Sequence, residues 1–171
     1  MRDTVGGGGN PWEIVVPATG AGDRPALACS PVSNLMSILM PILIGIVCVC
    51  LLSLIPDPHR RRANAVLVAG AGAAYLSGGG LGYAEFVLPV VMTYVAFRGL
   101  ESWTWIGVGW LLHTAWDVLH HLNASPILAF VGDSSFGCAV CDPVIALWCL
   151  AGGPPVLARL RDRLRRAAPA A

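Results

Sequence analysis

The chain contains no lysine, and charge of any kind is scarce: eleven arginines and ten acidic residues make 12% of 171 positions. Soluble domains carry about 25% charged residues, so the shortage argues against one. A net charge of +1 leaves no field for holding nucleic acid. With 56% hydrophobic residues and a mean hydropathy of +0.67, the chain is too apolar to be disordered. Six cysteines in so apolar a sequence do not make a secreted disulfide framework, which belongs to small, polar, loop-rich domains. No basic start runs directly into an apolar stretch, so the beginning does not read as a secretory signal. The use of arginine at every basic position reads as codon usage rather than chemistry.

What is present is a series of long apolar segments. Residues 1–34 stand apart as a flexible tail, rich in glycine and proline (Gly6 to Gly9, Pro11, Pro17, Pro25, Pro31). Leu35 to Ile55 is a run of 21 uncharged residues, enough to cross a hydrocarbon core of about 30 Å. Pro56-Asp57-Pro58 ends it, and the basic loop His59-Arg60-Arg61-Arg62 follows. A second span, Ala63 to Gly82, carries small residues every four positions (Ala69, Ala73, Ser77; Gly70, Ala74, Gly78), a pattern that lets helices approach closely in lipid. A third runs from Tyr83 to Phe97 with a kink at Pro89, a fourth from Trp103 to Leu122, and a fifth from Cys138 to Leu157. The expected fold is all-α: a polytopic transmembrane bundle of about five spans over residues 35–158, with a basic, interfacial tail over 159–171.

Arginine orients it. With Arg60, Arg61 and Arg62 in the cytoplasm and five crossings, Arg98 and the five arginines of the tail fall on the same side, nine of eleven in all. The expectation is a multi-pass cell-membrane protein with its N-terminus outside, its C-terminus in the cytoplasm, and the lipid bilayer as its first partner.

This topology gathers the reactive side chains in the outer half. His113, Asp117, His120 and His121 fall within an arc of about 100° on the fourth helix. Glu85 begins the third helix; Cys138, Cys141 and Asp142 begin the fifth. An ionisable group in lipid costs at least about 2.5–3.5 kcal/mol, so such a stripe must face a cavity or another polar group. Imidazole and carboxylate suit zinc or iron, so His113, Asp117, His120 or His121, with Cys138 or Cys141 as extra ligands, form a candidate site for one such ion. Asp117, Glu85 and Asp142 are the candidate catalytic carboxylates, and the substrate would be a small apolar molecule reaching the site from the outer leaflet. The His-x-x-x-Asp-x-x-His-His run resembles the histidine boxes of membrane hydroxylases and the His/Asp sites of ceramidase-like hydrolases, without their further boxes.

Two other classes compete. Cys138-Ala139-Val140-Cys141 at a helix start would have its thiol pKa lowered by the helix dipole, as in a membrane thiol-disulfide oxidoreductase, with Cys29 as an exchange partner. A non-enzymatic assembly module would instead close the polar stripe in a helix contact, the small-residue face packing a partner such as a second copy of the chain. Asp142-Pro143 also reads as an N-cap followed by proline at the first helical position, and Glu85 as a cap of the third helix. Trp103, Trp105, Trp110 and Trp116 read as interfacial anchors or cavity lining.

Three stretches, Asn64 to Gly79, His113 to His121 and Gly137 to Pro143, resemble a family of small bacterial integral membrane proteins of unknown function. The likeness runs from Met40 to Gly153; it implies a helical membrane architecture and no activity.

Overall fold

The structure, a computed structural model, describes residues 31–77, 80–128 and 131–167. The expected flexible tail lies outside these residues up to position 30, as does Cys29. Six α-helices make up the described part: α1 (Pro31–Leu52), α2 (His59–Ala73), α3 (Val87–Gly99), α4 (Trp103–Leu122), α5 (Ser134–Leu150) and α6 (Val156–Ala167). Two 3-10 turns, Ala74–Ser77 and Gly82–Phe86, continue α2 and lead into α3. The expected helical class holds, with no strand among the described residues. Among the described residues, only α1 is by length and composition a clear candidate to cross a membrane, over Leu35–Leu52.

Helix ends follow local chemistry. α4 covers the span read from its apolar period, from Ser102 in extended backbone to Asn123 past its end. α5 starts at Ser134, four residues before Cys138, because the chain runs helically through Pro143 instead of beginning there. Asp142 is therefore an interior residue and not an N-cap. Pro89 falls in the first turn of α3, where its missing N–H has no intrahelical partner to lose and no kink is required. α5 ends at Leu150, short of the expected Leu157, because Gly152 and Gly153 adopt φ values of +87° and +55°.

α4 packs against α5, α3 and α2; α1 lies against α5, and α2 against α3. The packed face of α2 includes Ala65, Val68 and Gly72 and continues to Tyr75 in the 3-10 turn. Of the small-residue stripes read in the sequence, Ala69 packs partly buried against the core, Gly70 and Ala73 are exposed, and Gly78 lies outside the described residues. A Cβ at Gly72 would sit 2.4 Å from that of Met92, so only glycine allows α3 this close, whereas Gly70 faces open space. At one end of the bundle, Arg61 Nε donates to the Leu100 carbonyl at 3.0 Å, Arg60 stacks over Trp103, and Arg98 over Trp105. The polar side chains gather at the opposite end.

Candidate metal centre

α4 turns His113, Asp117 and His120 inward, each three or four residues from the next, and a fixed helical step carries His121 outward. His113 is 3% exposed and Asp117 and His120 are fully buried. Asp142 reaches His113 from α5, with its Oδ2 2.7 Å from His113 Nδ1; Asp117 Oδ2 stands 3.0 Å from the same nitrogen. His113 Nε2 donates to the Ala71 carbonyl at 2.9 Å. A carbonyl only accepts, so Nε2 carries a hydrogen and the ring presents Nδ1 alone to two carboxylates.

One nitrogen cannot satisfy both. Asp117 Oδ1 accepts the Tyr75 hydroxyl at 2.7 Å, but its buried Oδ2 has no hydrogen-bond partner among the described residues. His113, Asp117 and Asp142 each offer a donor atom within 4.8 Å of the others, a set able to hold a metal ion. Ligating histidines donate their second N–H to a carbonyl or carboxylate, as His113 does to Ala71. The donor set is one imidazole and two carboxylates, which suits zinc or iron.

Glu85 and His120 form a separate pair. Glu85 Oε1 lies 2.7 Å from His120 Nε2 and accepts the Leu81 N–H at 3.1 Å, while its Oε2 accepts Trp116 Nε1–H at 3.3 Å. His120 Nδ1 donates to the Trp116 carbonyl at 3.0 Å. Glu85 thus closes the 3-10 turn ahead of α3 and pins α4 to it. Both His120 nitrogens are engaged, so this imidazole stays outside the three-residue set. His121 is exposed, its ring 5.2 Å from that of Phe136.

Cys138 and Cys141 are free, partly buried thiols on α5 and are not members of the set. The helix begins at Ser134, which puts Cys138 in its second turn, beyond the reach of the dipole that was expected to activate it. At Cys141 the backbone instead serves a crossing: a Cβ at Gly45 would lie 2.9 Å from the Cys141 carbonyl oxygen.

Three participants escaped sequence reasoning. Tyr75 links the two histidine sites, stacked on His120 at 3.7 Å between ring centroids and bonded to Asp117 through its hydroxyl. Ser135 Oγ stands 3.1 Å from that hydroxyl and accepts the Ile127 N–H. The Ala71 carbonyl is backbone and leaves no mark in a sequence. Tyr75 did leave one, as the single aromatic residue in an otherwise small and aliphatic stretch.

The chain belongs to a family of unknown function, DUF6010, which matches residues 36–155. This bears out the family of unknown function read from the three motifs, and the match runs from within α1 through α5. No curated protein and no solved structure matches the chain.

Proposed function

We propose that this chain is an integral membrane helix bundle that holds one zinc or iron ion at His113, Asp117 and Asp142. The observation that carries the metal reading is the unpartnered Oδ2 of fully buried Asp117, aimed at the nitrogen that Asp142 already occupies. A proton on Nδ1 serves one carboxylate; a divalent cation serves both and leaves Nε2–H on Ala71. Two ligands about 2.0–2.1 Å from a tetrahedral ion stand roughly 3.3 Å apart, so loading asks each carboxylate to retreat by only tenths of an ångström. Water would complete the coordination.

Two features support the membrane reading. The distribution of polarity is inverted: Leu122, Val90, Phe97 and Leu147 are 67–76% exposed while Asp117 and His120 are at 0%. Lengths also fit. With about 1.5 Å per α residue and about 2.0 Å per 3-10 residue, the helical stretches 59–77 and 82–99 each run about 30 Å, the thickness of the hydrocarbon core. Five crossings, α1 to α5, with the arginine end in the cytoplasm, follow from the charge bias.

Elemental analysis of protein purified without a histidine tag tests the ion. Stoichiometric metal, lost in Asp142→Asn and Asp117→Asn with helicity retained, is the expected result. Wild-type protein that carries no metal and gains no stability from zinc or iron would reduce the cluster to a hydrogen-bonded helix contact.

A second reading makes the ion catalytic, acidifying a bound water beside a small apolar substrate. Ser135 favours it, because this residue belongs to the buried network and also lines an outer groove of about 370 Å³ with His121 and Asp133. Ser135→Phe should then slow metal exchange while leaving the ligands in place; unchanged exchange would remove this reading.

A further inference from the structure

α6 lies outside the family match, touches the core only through partly buried Val156 at its start, and none of its residues is buried. At 100° per residue, Val156, Leu157, Leu160 and Leu164 fall within an arc of about 100°. Arg161 and Arg165 flank that stripe on one side; Arg159, Arg163 and Arg166 flank it on the other. Asp162 occupies the opposite pole. Leu157, Leu160 and Leu164 are 36%, 52% and 63% exposed, and none of the five arginines is ion-paired among the described residues. Arg159, Arg163 and Arg166 line a hollow of about 320 Å³ together with Asp162. Water alone is a poor environment for such an element, since isolated helices shorter than about 12–15 residues are marginal there.

The turn into α6 is fixed by aromatic side chains. Trp148 Nε1 donates to the Pro154 carbonyl at 2.9 Å, and Trp103, 5.5 Å from Trp148 between ring centroids, packs on Gly153. Buried Trp148 and partly buried Trp103 thereby fix where α6 leaves the bundle, at the end that carries Arg60 and Arg98. A helix leaving there with leucines on one face and arginines along both flanks has the form of an interfacial helix on an anionic surface.

We propose that α6 lies in the headgroup layer of the membrane that holds the bundle and binds anionic phospholipid headgroups through Arg159, Arg163 and Arg166, an inference that rests on the membrane reading of α1 to α5. Leu157, Leu160 and Leu164 enter the acyl boundary, the arginines reach phosphates beside them, and Asp162 faces water. The partner is lipid and not a soluble anion, because the basic residues border an apolar stripe that a free phosphate would leave uncovered.

Hydrogen exchange on the full chain in nanodiscs tests this, with phosphatidylcholine alone compared with phosphatidylcholine plus phosphatidylglycerol. Amides of residues 156–167 should exchange at least about tenfold more slowly in the anionic discs, and high salt should remove the difference. Combined Arg159→Gln, Arg163→Gln and Arg166→Gln should abolish the lipid dependence. Leu160→Asp should expose α6 in both lipids without altering α4. Equal exchange in the two lipids, or a triple variant that keeps full protection, overturns the proposal. Alkaline carbonate washing of vesicles carrying the same protein separates the two readings. Protein that resists washing with an unprotected α6 defeats only the lipid proposal; protein that washes off defeats the embedded bundle.

Discussion

His113 and His120 stand two turns apart on one face of α4 and meet their surroundings in nearly the same way. Each donates one ring N–H to a backbone carbonyl, and each turns its other nitrogen to a carboxylate from another element. They differ in what the carboxylates receive. Glu85 takes donors on both oxygens, from Leu81, His120 and Trp116. Around His113 two carboxylates share one nitrogen, and an oxygen of Asp117 is left over. The first arrangement is complete with protein groups alone. The second leaves one buried acceptor without a hydrogen bond, and that distinguishes the proposed metal site from a structural pair.

Breaking the complete pair should have the largest effect. Glu85→Ala leaves His120 buried without its carboxylate, a change that typically costs about 3–5 kcal/mol. Thermal unfolding in detergent should show the loss with or without added metal. A loss that appears only in metal-loaded protein would mean that the two sites are one, and the comparison would collapse.

Metal dependence comes next. An ion at one hundred times its dissociation constant stabilises the folded state by about 2.7 kcal/mol. Wild-type protein should gain roughly that on adding zinc or iron, and Asp142→Asn should gain nothing. The conservative Glu85→Gln should keep the gain, since Glu85 lies outside the three-residue set. Metal stabilisation that disappears in Glu85→Gln and survives in Asp142→Asn would move the centre from His113 to His120.

The two sites were unequally legible. The α4 face could be read from spacing, because His113, Asp117 and His120 recur at helical intervals in an apolar run, and the limits of α4 followed from the same period. Spacing could not separate His120 from His121; that depends on which side of α4 meets its neighbours. Asp142 was legible as a candidate carboxylate, but its alternative reading as a cap fails, since Pro143 after it has the pattern of a helix start and the packing of α5 on α4 carries the helix through. The small-residue stripes of α2 were legible only in part, Ala69 packing on the core while Gly70 and Ala73 are exposed, for a similar reason. Several registers of Ala and Gly look alike, and Met92 on a different helix decides that Gly72 is the one that must stay small.

Tyr75 connects the sites and allows them to be separated. Tyr75→Phe keeps the ring stacked on His120 and removes the donor to Asp117 Oδ1. A buried acceptor left without a partner costs about 1–3 kcal/mol, and loss of an outer hydrogen bond typically weakens metal binding about 10–100-fold. Titration with zinc should report the weaker binding while the Glu85–His120 pair stays closed. If affinity is unchanged, Tyr75 does not orient Asp117 for an ion.

The smallest effect is expected at Trp116. Its Nε1–H reaches Glu85 Oε2 at 3.3 Å, just past the usual range for an N–H···O bond. Trp116→Phe removes this donor and gives Glu85 one unpartnered oxygen, the condition that Asp117 has in the native chain. The other Glu85 oxygen keeps both Leu81 and His120 and the bond removed is a long one, so the cost should fall near the low end of the about 1–3 kcal/mol of an orphaned buried acceptor. Metal content should not rise. Among the described residues no second carboxylate joins Glu85 and His120 as Asp142 joins Asp117 at His113. If Trp116→Phe acquires a second equivalent of zinc, an orphaned oxygen beside a histidine suffices to recruit an ion. The pairing of Asp117 with Asp142 would then no longer be what sets the His113 centre apart.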